Sequence, residues 1–112
     1  MTKIGHLELF VRDTVKSREW YVRALGASPV ADQGEFQWIE LGGLEVLLRP
    51  GEGSKAKEYR STALAPVLYV EDLAEFREML DEAGIDPTNG DEDECLTFRD
   101  PDGHWWQATV AP

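Results

Sequence analysis

Residues 3–11 alternate between apolar and polar positions. Leu7, Leu9 and Val11 share one face of an extended strand, and His6, Glu8 and Phe10 share the other. The first face is plain core. The second is too apolar for bulk solvent and too polar for a dry interior. Asp13 then supplies an N-cap, and Val15, Trp20, Tyr21, Ala24 and Leu25 form the apolar side of a helix over about Thr14–Leu25. Gly26 stops that helix in the left-handed conformation. Three short strands are predicted next, Ser28–Ala31, Glu35–Glu40 and Leu44–Arg49, with Asp32-Gln33-Gly34 and Gly42-Gly43 as the turns. Pro50 to Ala63 is polar and Gly-containing, and reads as a solvated linker.

The pattern restarts at Pro66–Val70, a strand. Asp72 caps a second helix, with Glu75 placed to complete a capping box and Leu73, Phe76, Leu80 and Ala83 at helical spacing beside Met79; Gly84 ends it. Pro87–Asn89, Glu94–Arg99 and Trp105–Val110 are predicted strands. The last two are joined by Asp100-Pro101-Asp102-Gly103, whose residue types suit a type I turn. Trp105 and Trp106 are adjacent on one strand, so one indole points to each face. Trp106 and Trp20 are read as core.

The two halves repeat. Leu9, Val11, Asp13, Arg18, Glu19 and Ala24 recur 59 positions later as Leu68, Val70, Asp72, Arg77, Glu78 and Ala83. Gly26 matches Gly84 after a one-residue gap, and Gly43 matches Gly103 at an offset of 60. Each half reads β-α-β-β-β, which makes the chain α+β with two tandem modules. Its 112 residues suit a single domain. Module one spans about 1–50, the linker about 51–63 and module two about 64–112.

Charge narrows the partners. With 22 acidic and 11 basic residues the net charge is −11, which argues against nucleic acid and anionic membranes. Residues 71–94 hold eleven of the acids against Arg77 alone, a solvated acidic face. Cys95 is the single cysteine, so there is no intrachain disulfide and no cysteine zinc site. No basic-then-apolar leader and no long apolar run occurs, so the expected location is the cytoplasm. No GxSxG or phosphate-loop motif is present.

The paired modules, with HLELFVRDTVKSREWYVRALG at 6–26 and FRDPDGHWWQ at 98–107, resemble the vicinal oxygen chelate superfamily. That group includes glyoxalase I, extradiol dioxygenases, and fosfomycin- and bleomycin-resistance proteins. The resemblance implies that the curved mixed sheets form a cup with the helices outside, and that the protein is a homodimer. Metal-binding members place four ligands in the cup, which fall here on His6, Leu47, Ala65 and Gln107. His6 and Gln107 carry donor atoms, whereas Leu47 and Ala65 do not. No metal is therefore expected, and the nearest character is that of metal-free, bleomycin-resistance-like members. A divalent metal held with help from Glu8 or Glu45 is the alternative.

Strand phase and the resemblance together outline the ligand-binding face: His6, Glu8 and Phe10; Glu45, Leu47 and Arg49; Val67 and Tyr69; Trp105 and Gln107. Trp38 is added without a settled phase. Flat aromatics and a few polar groups suit a planar or cationic small molecule. Tyr59 and Arg60 of the linker lie within chain reach of the mouth. Three functions follow. The first is metal-independent binding of a small molecule, with sequestration as its use. The second is a lyase or isomerase using a divalent metal or a His6/Glu8 general base. The third is a non-catalytic interaction module. Whether the protein is an enzyme stays open, leaning against.

Overall fold

The structure is a computed structural model and describes residues 1–89 and 94–112. Asp91, Glu92 and Asp93 of the acidic run lie outside the described residues. The remaining acids of that run, from Glu71 to Asp86 and Glu94, are exposed.

Two compact units emerge, Met1–Gly53 and Ser54–Pro112. In the first, β1 (Leu7–Val11) leads to α1 (Thr14–Leu25), then β2 (Ser28–Gln33), β3 (Phe36–Leu41) and β4 (Leu44–Pro50). The strands form an open mixed sheet of order β1-β4-β3-β2, with β1 parallel to β4 and the other pairs antiparallel. In the second, β5 (Val67–Val70), α2 (Leu73–Glu82), β6 (Thr88–Asn89), β7 (Cys95–Arg99) and β8 (Trp105–Val110) repeat that plan in the order β5-β8-β7-β6. The fold class is α+β, two β-α-β-β-β modules.

The repeat holds at the level of register. Glu8 pairs with Leu47 and Trp38 with Leu47 in the first sheet; Val67 pairs with Gln107 and Thr97 with Gln107 in the second. These are the same positions under the offsets of 59 and 60 read from sequence.

Each helix covers one face of its own sheet. Asp13 caps α1 by accepting from the Lys16 N–H at 3.1 Å, and Gly26 closes it at φ 70°. Trp20, Tyr21 and Ala24 of α1 are buried, as are Leu9, Val11, Ile39, Val46 and Leu48 of the sheet. Val15 does not join this apolar side. It is 40% exposed, and Thr14 and Ser17 occupy the buried stripe at the spacing that leads to Tyr21 and Ala24. Gln37, a buried amide of this sheet, accepts from Arg18 Nη1 at 2.6 Å and donates to Asp32 Oδ1 at 2.6 Å and Gly34 O at 2.7 Å. That chain ties α1 to the β2–β3 hairpin. It also extends β2 through Gln33, past the predicted end at Ala31, so the turn contracts to Gly34-Glu35.

In the second unit Asp72 accepts from the Ala74 and Glu75 N–H groups, and α2 ends at Glu82 with Gly84 at φ 76° just beyond. Phe76 and Leu80 pack on Leu96, Phe98, Trp106 and Ala108, all buried. The hairpin between β7 and β8 forms as its residues require. Gly103 N–H donates to Asp100 O at 3.0 Å, and Asp100 Oδ1 accepts from the Asp102 and His104 N–H groups.

Candidate ligand-binding faces

The face of module one away from α1 is built by strand alternation. His6, Glu8 and Phe10 come from β1 and the residue before it, and Glu45, Leu47 and Arg49 from β4. Trp38, opposite Leu47, comes from β3. Its phase, unsettled in the sequence, is thereby decided. Phe36 lies one strand repeat from Trp38 and shares its side, a member the sequence reading missed though alternation could have found it.

Glu8 is the electrostatic centre. His6 Nε2 lies 2.8 Å from Glu8 Oε2, and Arg49 Nη1 donates to Glu8 Oε1 at 2.9 Å. The His6 hydrogen bond first, and the Arg49 bond second, hold this carboxyl below the usual carboxylate range. Arg49 in turn lies 5.6 Å from the Phe10 ring centre and 5.4 Å from that of Phe36. The His6 ring meets Trp38 edge-on at 4.9 Å, and Trp38 Nε1 donates to Gln33 Oε1 at 3.3 Å. Leu47 is buried among them, and Glu45 is exposed at the turn end of β4.

In module two the corresponding face carries Val67 and Tyr69 from β5 and Trp105 and Gln107 from β8. Tyr69 is 68% exposed, whereas Trp105 is only 8% exposed. The difference comes from the linker segment, which folds onto β8 and is not a solvated loop throughout. Trp105 Nε1 donates to Ala56 O at 2.8 Å, and Tyr59 Oη donates to Gln107 Oε1 at 3.1 Å. The Tyr59 ring meets Trp105 edge-on at 5.8 Å. Ser54 N–H donates to Asp102 O at 2.9 Å, anchoring the start of this segment to the hairpin. Arg99, paired with Trp105 across the hairpin, lies 5.1 Å over the indole. Local pattern gave no signal that Tyr59 would find Gln107, because the two are 48 residues apart.

A family model described as the Glyoxalase/Bleomycin resistance protein/Dioxygenase superfamily matches residues 3–108. The chain belongs to this superfamily. It is 32% identical over 119 aligned residues to the uncharacterized protein YurT of Bacillus subtilis (strain 168), covering 91% of this chain and 94% of that one. Among solved structures it is similar to the genomically encoded fosfomycin resistance protein FosX of Listeria monocytogenes, complexed with Mn(II) and sulfate. The TM-score is 0.84 at 14% identity, over 100% of this chain and 92% of that one. TioX from Micromonospora sp. ML1 matches with a TM-score of 0.73 at 22% identity, over 94% and 97%. At these identities the likeness to the solved structures is one of fold.

The superfamily raises the question of a divalent metal, and the donor set does not fit one. Of the four positions the resemblance assigns, Leu47 and Ala65 have no donor atom, and the amide oxygen of Gln107 accepts from Tyr59. Both oxygens of Glu8 already have partners. Among the described residues no group of three or more His, Cys, Asp or Glu side chains is gathered. Among them, too, no helix is long and apolar enough to cross a membrane.

Proposed function

We propose that this protein binds a small planar organic compound without a resident metal and holds it unaltered, as a sequestering protein does. The single observation that carries the reading is the donor set: two of the four inherited ligand positions are hydrocarbon and a third, Gln107, is engaged by Tyr59. What the faces keep is flat apolar surface, Trp38 and Tyr69 above all, with a few fixed polar groups, which is the composition of a binding site for a ring. Manganese and fosfomycin belong to FosX, and the likeness of fold does not bring them to this chain. The reading also makes the protein a single-domain cytoplasmic homodimer, in keeping with the family resemblance. Light scattering of the pure protein tests the assembly.

A second reading has one observation in its favour. The His6–Glu8 contact orients the imidazole, and if Nε2–H is the donor, Nδ1 keeps its lone pair. A base so held would abstract a proton beside a carbonyl, the chemistry of an isomerase or lyase. Glu8 itself is a poor base, since both its oxygens are engaged and its carboxyl is held down.

One experiment separates the readings. A bound compound is captured from a metabolite mixture on the purified protein, released by denaturation and compared by mass with the input. Recovery at one equivalent, unchanged, is the expected result. Catalytic conversion abolished by His6→Ala would replace sequestration with the second reading. Elemental analysis of protein prepared without chelator is expected to show no stoichiometric transition metal.

A further inference from the structure

Glu8 does not stand open on the face of module one; it is held between His6 and Arg49. Both oxygens of Glu8 are engaged, one by each partner, while Arg49 keeps N–H groups to spare among the described residues. Trp38 directs its N–H to Gln33, so its half-buried indole can offer a ligand only the ring surface that His6 does not cover. Arg49, by contrast, uses only Nη1 toward a hydrogen-bond partner among the described residues, leaving Nε and Nη2 unengaged there, and its side chain is 41% exposed. Contacts with the Phe10 and Phe36 rings and the bond to Glu8 restrict the guanidinium, so less of its freedom remains to be lost on binding. Glu45, the other carboxylate on this side, sits at the turn end of β4 paired with Glu40, away from the Arg49 end.

Module two repeats the bias by itself. The oxygen of Gln107 accepts from Tyr59, and Arg99 lies over Trp105, so that indole's attraction for a cation is already used internally.

Resting on the binding function proposed above, we infer that module one recognises its planar ligand through an oxygen acceptor, a carboxylate or conjugated carbonyl, gripped by the free N–H groups of Arg49 while the ring lies against Trp38. A ligand ammonium would have to displace Arg49 or His6 from Glu8 and would meet the guanidinium charge. A carboxylate or carbonyl needs no such exchange, and a planar fork matches two coplanar oxygens.

Three probes of one shape test this on the full chain: naphthoate, naphthamide and naphthylmethylammonium, titrated by calorimetry and followed by amide NMR shifts. Naphthoate is expected to bind at least about tenfold more tightly than the ammonium probe, the scale of one charge-assisted hydrogen bond, with naphthamide between them. Arg49→Met should remove that preference, and Arg49→Lys, which keeps the charge and loses the fork, should restore only part of it. Arg49→Lys carries the test if Arg49→Met melts early. Preference for the ammonium probe, or naphthoate binding indifferent to both substitutions, overturns the inference and leaves the binding function standing. Failure of all three probes to bind at millimolar concentration overturns the inference too, and the binding function then rests on the capture experiment.

Discussion

Gly103 lies against the backbone of Ser54, where the linker segment is bonded to the hairpin, and replacing it measures how firmly the two are joined. Its φ of 84° is in the left-handed region, where an L side chain costs about 1–2 kcal/mol. A Cβ there would also run into the backbone oxygen of Ser54, and backbone cannot swing aside as a side chain can. Moving Ser54 strains or breaks its N–H bond to Asp102 O, a further ~1 kcal/mol. Gly103→Ala should therefore cost about 2–3 kcal/mol in all. Gly43 is the internal control. It holds the equivalent turn position in module one, at φ 93°, and a Cβ added to it would meet nothing within 4 Å. Gly43→Ala should show only the backbone cost of about 1–2 kcal/mol. Urea unfolding of the two variants, compared at equal slope, gives the difference directly. Losses equal to within about 0.5 kcal/mol would refute the seating of Ser54 on the hairpin, and with it the anchor that brings Tyr59 to Gln107.

Tyr59→Phe removes the hydroxyl that Gln107 accepts from; it should lower stability by about 0.5–1.5 kcal/mol and shift the Trp105 indole resonance, whereas an unmoved resonance would place Tyr59 away from that ring. Trp106→Ala empties the most voluminous fully buried site and should cost about 3–5 kcal/mol in urea unfolding, with a loss under about 1.5 kcal/mol contradicting its place under α2. Glu8 has a depressed carboxyl in the folded chain, so its contribution is present above the ordinary carboxylate pKa and is lost as pH falls through the depressed value. Urea midpoints measured from neutral to acid pH should accordingly fall less steeply for Glu8→Gln than for the wild type, and identical slopes would remove Glu8 from the pair with His6 and Arg49.

Much of the fold was readable along the chain because its signals are local. Asp13 and Gly26 bracket α1, Asp72 and Gly84 bracket α2, and Asp100 to Gly103 closes a hairpin with its own side chain and backbone. Each depends on residues within one turn or hairpin, and the repeated spacing then set the register of one module against the other's pattern. Alternation likewise put His6, Glu8, Arg49 and Gln107 on the right strand faces. It left a Glu8–Arg49 pair open as one arrangement of two inward-facing side chains, and could not fix which groups would meet. Salt bridges and side-chain hydrogen bonds between strands depend on rotamers and on packing that brings distant segments into hydrogen-bonding range. Glu8 finds Arg49 from 41 residues away, and Tyr59 finds Gln107 from 48. Those two encounters engage oxygens of Glu8 and Gln107 that the sequence left open to a cation or metal. Sequence alone determined the family architecture and the strand phase of the candidate residues. Tertiary packing decided which of their atoms stay available, because that choice is made by partners the chain brings in from elsewhere.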